Sequence, residues 1–312
     1  MKPFAFVFPG QGSQAVGMLD AWGDHPAVAQ TLAEASEALH EDIGALIKAG
    51  PKEQLDLTAN TQPVMLTAAV ACYRAWRAEG GEAPQAVAGH SLGEYSALVA
   101  ARALTLSQAV PLVRLRAQAM QEAVPVGAGA MAAILGLDAA VVVEGCREAA
   151  AASGEVVEAA NFNDPTQIVI AGTKAGVDAA CEVLKAKGAK RALPLAVSAP
   201  FHSSLMKPAA ERLKVALEGV ALQSPAIAVV NNIDVSAPTG VAEIKDALYR
   251  QAFGPVRWTE VIGALKARGL LHIVECGPGK VLAGMVKRID AELQSATLLD
   301  PATLQQTKEL LA

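Results

Sequence analysis

Charged residues make up only 18% of this 312-residue sequence, and the net charge of −5 leaves no basic excess. Non-specific binding to nucleic acid or to an anionic membrane surface is therefore not expected. There are only four cysteines and none lies in a C-x-x-C pair, so neither a zinc site nor a disulfide framework is indicated. No uncharged apolar run approaches the roughly 18 residues that a membrane-spanning helix needs. We expect no membrane span, no metal and a reducing, cytoplasmic location.

Apolar residues, by contrast, make up 52% of the chain. A chain of this length and composition buries a sizeable core, which argues against disorder. It is long enough for one large domain, or for a large domain that carries a smaller inserted one.

Strands and helices alternate along most of the chain, beginning with the apolar run Phe4–Phe8, which ends at Pro9-Gly10. This alternation predicts an α/β protein with a mostly parallel sheet covered by helices on both faces. The parallel sheet is predicted in a large domain formed by residues 1–127 and 198–312.

Residues 128–197 follow a different order, βαββαβ, which predicts an inserted ferredoxin-like subdomain. Its helices are expected to begin after the capping residues Asp138 and Thr173. The expected strands and the turn between the middle two are Met131–Leu137, Val156–Ala160, the turn Asn161–Pro165, Gln167–Ala171 and Ala192–Val197.

The segment V-A-G-H-S-L-G-E-Y contains Ser91 between two glycines, after a short apolar strand and before a helical run. The G-x-S-x-G spacing in this context is typical of a nucleophile elbow, a tight strand-to-helix turn that presents a serine hydroxyl. Free N–H groups at the start of the helix would suit a developing oxyanion. The same pattern also fits a tight turn with a capping serine, and the spacing alone does not decide between them.

A serine nucleophile needs a base, and His202 in S-A-P-F-H-S-S is the best placed of the five histidines. It follows a strand end and a proline-fixed turn, where catalytic groups of parallel sheets tend to lie. An ordinary surface loop histidine is the alternative.

Arg116 lies on the apolar stripe of a helix predicted from an N-cap at Ser107 to about Val124. An inward guanidinium needs an anion, because an unpaired buried charge costs several kcal/mol. The pattern alone favours an internal carboxylate such as Glu94 or Glu275. The functional alternative is a carboxylate on the substrate.

Seven motifs occur in one order along the chain: F-P-G-Q-G-S-Q, G-H-S-L-G-E-Y, R-x-x-x-M, P-F-H-S-S-L-M-K-P-A, N-N-I-D, Q-x-x-x-P-V-R-W and E-C-G-P-G-K-V-L. Together they resemble the malonyl-CoA:acyl-carrier-protein transacylase family of bacterial fatty acid synthesis. The resemblance runs from residue 4 to about 290.

The resemblance implies a hydrolase-like α/β domain with a ferredoxin-like insert, and it implies a role for each matching residue. Ser91 matches the family's nucleophile and His202 its general base. Arg116 matches the residue that holds the malonyl carboxylate. The remaining matches are Gln11 and Leu92, whose main-chain N–H groups form the oxyanion hole, and Gln251, whose main-chain carbonyl orients the histidine.

The implied reaction is transfer of malonyl from malonyl-CoA to the phosphopantetheine thiol of acyl carrier protein, through a malonyl-serine ester and without a cofactor. Alternatives are a serine thioesterase, a non-catalytic acyl-binding subunit, or a transacylase of polyketide synthesis or malonate decarboxylation. Acyl carrier proteins are acidic, so docking calls for a local basic patch. Lys187, Lys190 and Arg191 are candidates, although a solvated helix end is the favoured explanation for them.

Overall fold

The computed structural model describes residues 1–312, and its larger sheet has five parallel strands in the order β7-β2-β1-β8-β9. Every residue of β1 is buried, as expected for a central strand covered on both faces. The strands are β1 (Phe4–Phe8), β2 (Ala86–Gly89), β7 (Ala228–Val230), β8 (His272–Cys276) and β9 (Gln294–Leu298).

Alternate residues of β1 enter two separate cores. Phe4, Phe6 and Phe8 pack on one face of the sheet, and Ala5 and Val7 pack on the other. This period of two follows from the pleat of a strand. The helices of this part of the chain are α1 (Pro26–Leu39), α2 (Ile43–Ala49), α3 (Lys52–Leu55), α4 (Thr58–Ala78), α5 (Gly93–Ala100), α6 (Leu106–Glu122), α9 (Lys207–Glu218), α10 (Val241–Gln251), α11 (Trp258–Ala267), α12 (Val281–Ile289) and α13 (Pro301–Leu311).

The second sheet has four antiparallel strands in the order β4-β5-β3-β6, which is the ferredoxin-like arrangement. The predicted fold class, an α/β protein with a parallel sheet and a βαββαβ element, is confirmed. The predicted caps are also correct, because Asp138 and Thr173 accept main-chain N–H bonds at the starts of the two helices. The elements are β3 (Gly129–Leu135), α7 (Ala139–Ser153), β4 (Val157–Asp164), β5 (Gln167–Thr173), α8 (Lys174–Ala186) and β6 (Arg191–Pro194).

Three local predictions were wrong. The turn lies at residues 165–166 and not at 161–165, because β4 continues to Asp164. The last strand of the element ends at Pro194, before Val197. Helix α6 is capped by Thr105 rather than Ser107, since the Thr105 side chain accepts from Gln108 in a capping box.

Strand β4 continues to Asp164 because Asn161, Phe162 and Asp164 pair with β5, and the strand also pairs with Val256 in the larger part of the chain. The Phe162 N–H donates to the Val256 carbonyl, and the Val256 N–H donates to the Ala160 carbonyl, both at 2.9 Å. The buried Asp164 forms an ion pair of 2.6 Å with Arg288 on α12. The second sheet is therefore joined to the larger part of the chain along β4, and Asn161 and Asn163 of this strand line a cavity. None of the helices combines the length and apolar character needed to cross a membrane.

Candidate active site

Ser91 lies on the tight turn between β2 and α5, with a φ of 52° that is unusual for a residue with a side chain. The flanking glycines are required by close backbone contact. A Cβ on Gly89 would lie 1.9 Å from the Gly93 carbonyl carbon, and a Cβ on Gly93 would lie 2.1 Å from the Phe8 oxygen. The turn thus has the geometry of a nucleophile elbow.

The buried side chain of Asn232 holds this strained turn from both ends. Its Oδ1 accepts from the Ser91 N–H at 2.7 Å, and its Nδ2 donates to the Gly89 carbonyl at 2.7 Å. One amide therefore satisfies a donor and an acceptor that the sheet and helix leave unpaired. The N-N-I-D motif contained this residue, but no role for it was predicted.

The Ser91 hydroxyl lies 2.7 Å from Nε2 of His202. On the other side of the ring, Nδ1 lies 2.9 Å from the Gln251 carbonyl oxygen and 3.1 Å from that of Gly254. Because both neighbours are acceptors, Nδ1 carries the proton and Nε2 is free to accept from Ser91. The serine and histidine thus form a dyad oriented by main-chain carbonyls, with no carboxylate in the usual third place.

His202 is held in its neutral form. Burial, followed by the positive charge of Arg116, lowers the pKa of His202 to about 3. A neutral imidazole with an unprotonated Nε2 is the form that accepts a proton from a hydroxyl.

Arg116 lies in the same site, with 2% of its surface exposed. Its Nη2 donates to the Ser91 hydroxyl and to Gln251 Oε1, both at 3.1 Å, and its Nη1 donates to Gln62 Oε1 at 2.8 Å. The guanidinium also lies over the Tyr95 ring, 5.6 Å from its centroid. Every hydrogen-bond partner is neutral.

The internal carboxylate favoured by the sequence pattern is therefore not a direct partner of Arg116. Neither Glu94 nor Glu275 forms an ion pair with it; Glu94 bonds to Gln251 and to the Asn232 N–H, and Glu275 bonds to the Ala283 N–H at the start of α12. Helical periodicity placed the arginine on an inward face, but the identity of its neighbours depends on segments distant in sequence. The site holds a buried cation with no protein anion in contact.

Gln11 and Leu92, the two residues expected to form an oxyanion hole, both line the cavity that contains Ser91 and His202. Neither main-chain N–H donates to another main-chain group. The loop that carries Gln11 is tied to α4, because the Gln11 side chain donates to Thr58 Oγ1 at 3.2 Å. Two unpaired N–H donors at the cavity wall are suited to an oxyanion.

The cavity has a volume of about 700 Å³ and is lined from both parts of the chain. Met131, Asn161 and Asn163 line it from strands β3 and β4 of the second sheet, and Val281 and Met285 line it from α12. Such a size suits an extended small-molecule or cofactor arm. His90, the residue before Ser91, turns away from the hydroxyl, since its Nε2 lies 2.8 Å from Asn163 Oδ1.

The sequence model of the acyl transferase domain matches residues 5–306. The chain belongs to the acyl transferase family. It is 52% identical to the malonyl CoA-acyl carrier protein transacylase of Escherichia coli K12 over 99% of this chain and 100% of that protein. The corresponding Bacillus subtilis protein is 46% identical over 98% and 96% of the two chains.

Solved structures agree with this assignment of the acyl transferase. The acyl-carrier-protein S-malonyltransferase of Burkholderia pseudomallei is 62% identical and superposes with a TM-score of 0.97, covering 99% of this chain and 100% of that one. A malonyl-transacylase solved in complex with its type II PKS acyl-carrier protein is 50% identical, with a TM-score of 0.97 and coverage of 99% and 100%.

The basic side chains suggested for carrier-protein docking on this acyl transferase differ in their surroundings. Lys187 is paired with Glu148 at 2.8 Å, so its charge is already compensated. Lys190 and Arg191 are exposed and form no ion pair within the protein. The patch expected from the sequence is thus reduced to two free cations.

Three buried polar residues of the acyl transferase site had no predicted role: Gln62, Asn232 and the side chain of Gln251. Each binds a group more than 50 residues away in sequence. A polar residue within a run of buried apolar positions, such as Gln62 near the start of α4, is the only local signal that could have indicated one of them.

Proposed function

We propose that this acyl transferase moves a malonyl group from malonyl-CoA to the phosphopantetheine thiol of acyl carrier protein, for fatty acid biosynthesis. The observation that carries the proposal is the buried Arg116, whose hydrogen-bond acceptors are all neutral and whose Nη2 lies 3.1 Å from the Ser91 hydroxyl. In a malonyl ester of Ser91, the free carboxylate is on the third carbon from Ser91 Oγ, which is close enough to pair with this guanidinium. The names of the relatives support the same substrates.

In the first half-reaction, Ser91 Oγ attacks the thioester carbonyl carbon while His202 Nε2 takes the hydroxyl proton. The Gln11 and Leu92 N–H groups stabilise the tetrahedral oxyanion. The carbon–sulfur bond breaks, His202 returns the proton to the CoA thiolate, and a malonyl-Ser91 ester remains.

The second half-reaction runs the same steps with a different thiol. His202 accepts the proton of the phosphopantetheine thiol, whose sulfur attacks the ester carbonyl. The ester C–O bond breaks and the proton passes to Ser91 Oγ. The Gln251 main-chain carbonyl holds the imidazole in one tautomer throughout, and it does so without adding a negative charge beside an anionic substrate.

The test is the intact mass of the protein after brief exposure to malonyl-CoA, with Ser91→Ala as control. The expected result is a malonyl adduct on the unaltered protein and none on the variant. A non-catalytic acyl-binding subunit gives no adduct on either. A thioesterase releases free malonate as fast as it acylates carrier protein, and that result would replace the transfer proposal.

Polyketide assembly is the second candidate pathway, because the relative solved with a type II PKS acyl-carrier protein is 50% identical to this chain. Rates of malonyl transfer to carrier proteins of the two pathways, compared side by side, separate these candidates. We also propose a cytoplasmic location, supported by four cysteines that are all free thiols. Cell fractionation tests it.

A further inference from the structure

Glu94, three residues after Ser91, is a buried carboxylate that the proposed reaction does not use. It is 2% exposed and forms no ion pair with any lysine, arginine or histidine. Its Oε2 accepts from the Asn232 N–H at 2.9 Å and from Gln251 Nε2 at 2.9 Å. A carboxylate buried at such cost beside the active serine calls for a function.

The Gln251 side chain connects Glu94 to the carboxylate-binding arginine. Its Nε2 donates to Glu94 and also to the Ser91 carbonyl at 3.0 Å, while its Oε1 accepts from Arg116 Nη2 at 3.1 Å. An amide has one donating and one accepting end. With its donating end bound to Glu94, only the oxygen can face the guanidinium, which has no accepting atom.

We propose that Glu94 is a positioning residue for substrate selection: by binding the donating end of the Gln251 amide, it directs Gln251 Oε1 at Arg116 and holds the guanidinium beside Ser91. The inference rests on the proposed malonyl transfer. Without Glu94 the NH₂ group keeps only the Ser91 carbonyl as an acceptor, so the orientation of the amide is less firmly fixed. Gln251 Oε1, one of the three acceptors that position Arg116, is then held less precisely.

The arrangement also tolerates a change in the charge of Glu94. Burial raises the pKa of Glu94 to about 7, against the hydrogen bonds from Gln251 and Asn232 and the charge of Arg116. Both accepted bonds fall on Oε2. A proton on Oε1 therefore leaves them intact, and a glutamine at position 94 can place its amide oxygen where Oε2 lies.

The experiment compares Glu94→Leu, Glu94→Gln and Gln251→Met, measuring the kcat/KM of Ser91 acylation with malonyl-CoA and with acetyl-CoA. Gln251→Met removes the amide but keeps the main-chain carbonyl that orients His202. We expect Glu94→Leu to lower the malonyl-to-acetyl ratio about tenfold, the size expected for one hydrogen bond to a charged group. Glu94→Gln should keep the malonyl-to-acetyl ratio of the unaltered protein.

The double variant Glu94→Leu/Gln251→Met should lower the ratio no further than the worse single variant, because both act through one amide. A general structural role would instead lower both rates together and leave the malonyl-to-acetyl ratio unchanged, which would overturn the inference. A ratio lowered in Glu94→Gln as much as in Glu94→Leu would overturn it as well.

Failure of this inference can be told apart from failure of the proposed function. If the unaltered protein forms no malonyl-serine, the proposed function fails. If it does form malonyl-serine and Glu94→Leu keeps its ratio, only the inference fails. Should Glu94→Leu not fold, a Gln251→Met variant with an unaltered ratio would refute it.

Discussion

Replacement of Arg116 by alanine should abolish the preference for malonyl over acetyl groups. The guanidinium is 2% exposed, and in the free protein it contacts only neutral acceptors. In Arg116→Ala, a bound malonyl carboxylate would face the side-chain oxygens of Gln62 and Gln251 with no cation between them. An acetyl group has no such charge to lose.

The expected magnitude follows from that geometry. Removing one partner of a buried ion pair costs about 3–5 kcal/mol, because the other charge is left uncompensated. Water can enter the space left by the arginine side chain, so the lower end applies. About 3 kcal/mol corresponds to roughly a hundredfold loss in kcat/KM for malonyl-CoA.

The assay measures acylation of Ser91 with malonyl-CoA and with acetyl-CoA by rapid quench and intact mass. Arg114→Ala is the matched control, since Arg114 lies on the same helix but pairs with Glu41 and Asn60 outside the cavity. The control should keep the wild-type ratio. An Arg116→Ala variant with equal losses for both acyl groups would refute the assignment of Arg116 to the substrate carboxylate.

Three further predictions concern the elbow and its base, and a fourth concerns α11. Burial, followed by the charge of Arg116, lowers the pKa of His202 in the folded protein from 6.5 to about 3. Between pH 6.5 and about 3 the imidazole is therefore protonated in the unfolded chain but not in the folded protein. Stability should fall as the pH drops through this window, and urea unfolding of His202→Gln should lack that contribution; an identical pH dependence in both proteins would contradict it. Asn232→Ala leaves the Ser91 N–H and the Gly89 carbonyl unpaired, so it should lower the free energy of unfolding by about 2 kcal/mol or more, measured by urea titration. Gly93→Ala should prevent folding or remove activity, because its Cβ would lie 2.1 Å from a main-chain oxygen. Gly263→Ala, which meets no atom within 4 Å in the middle of α11, should instead raise stability by about 1 kcal/mol.

The sequence predicted those features that depend on local pattern. The G-x-S-x-G spacing predicted the tight strand-to-helix turn at Ser91, the βαββαβ order predicted the second sheet, and helical periodicity put Arg116 on an inward face. Each of these signals is contained within a short stretch of chain or in the order of such stretches.

Features that depend on pairing between distant segments could not be predicted from local pattern. Residues 161–164 resemble part of a turn, yet they continue β4, which pairs with β5 on one side and with Val256, far away in sequence, on the other. The interpretation that an internal carboxylate pairs with Arg116 was wrong for a similar reason. Glu94 is near in sequence, but Gln251, 135 residues from Arg116, lies between the two charges.

The main-chain pairing of β4 with Val256 affects how CoA and acyl carrier protein follow one another at the cavity that contains Ser91. Moving the second sheet away from the larger part of the chain would break two main-chain hydrogen bonds of 2.9 Å and the ion pair between Asp164 and Arg288. We therefore expect malonyl-CoA and acyl carrier protein to reach Ser91 one after the other through a cleft whose width changes little.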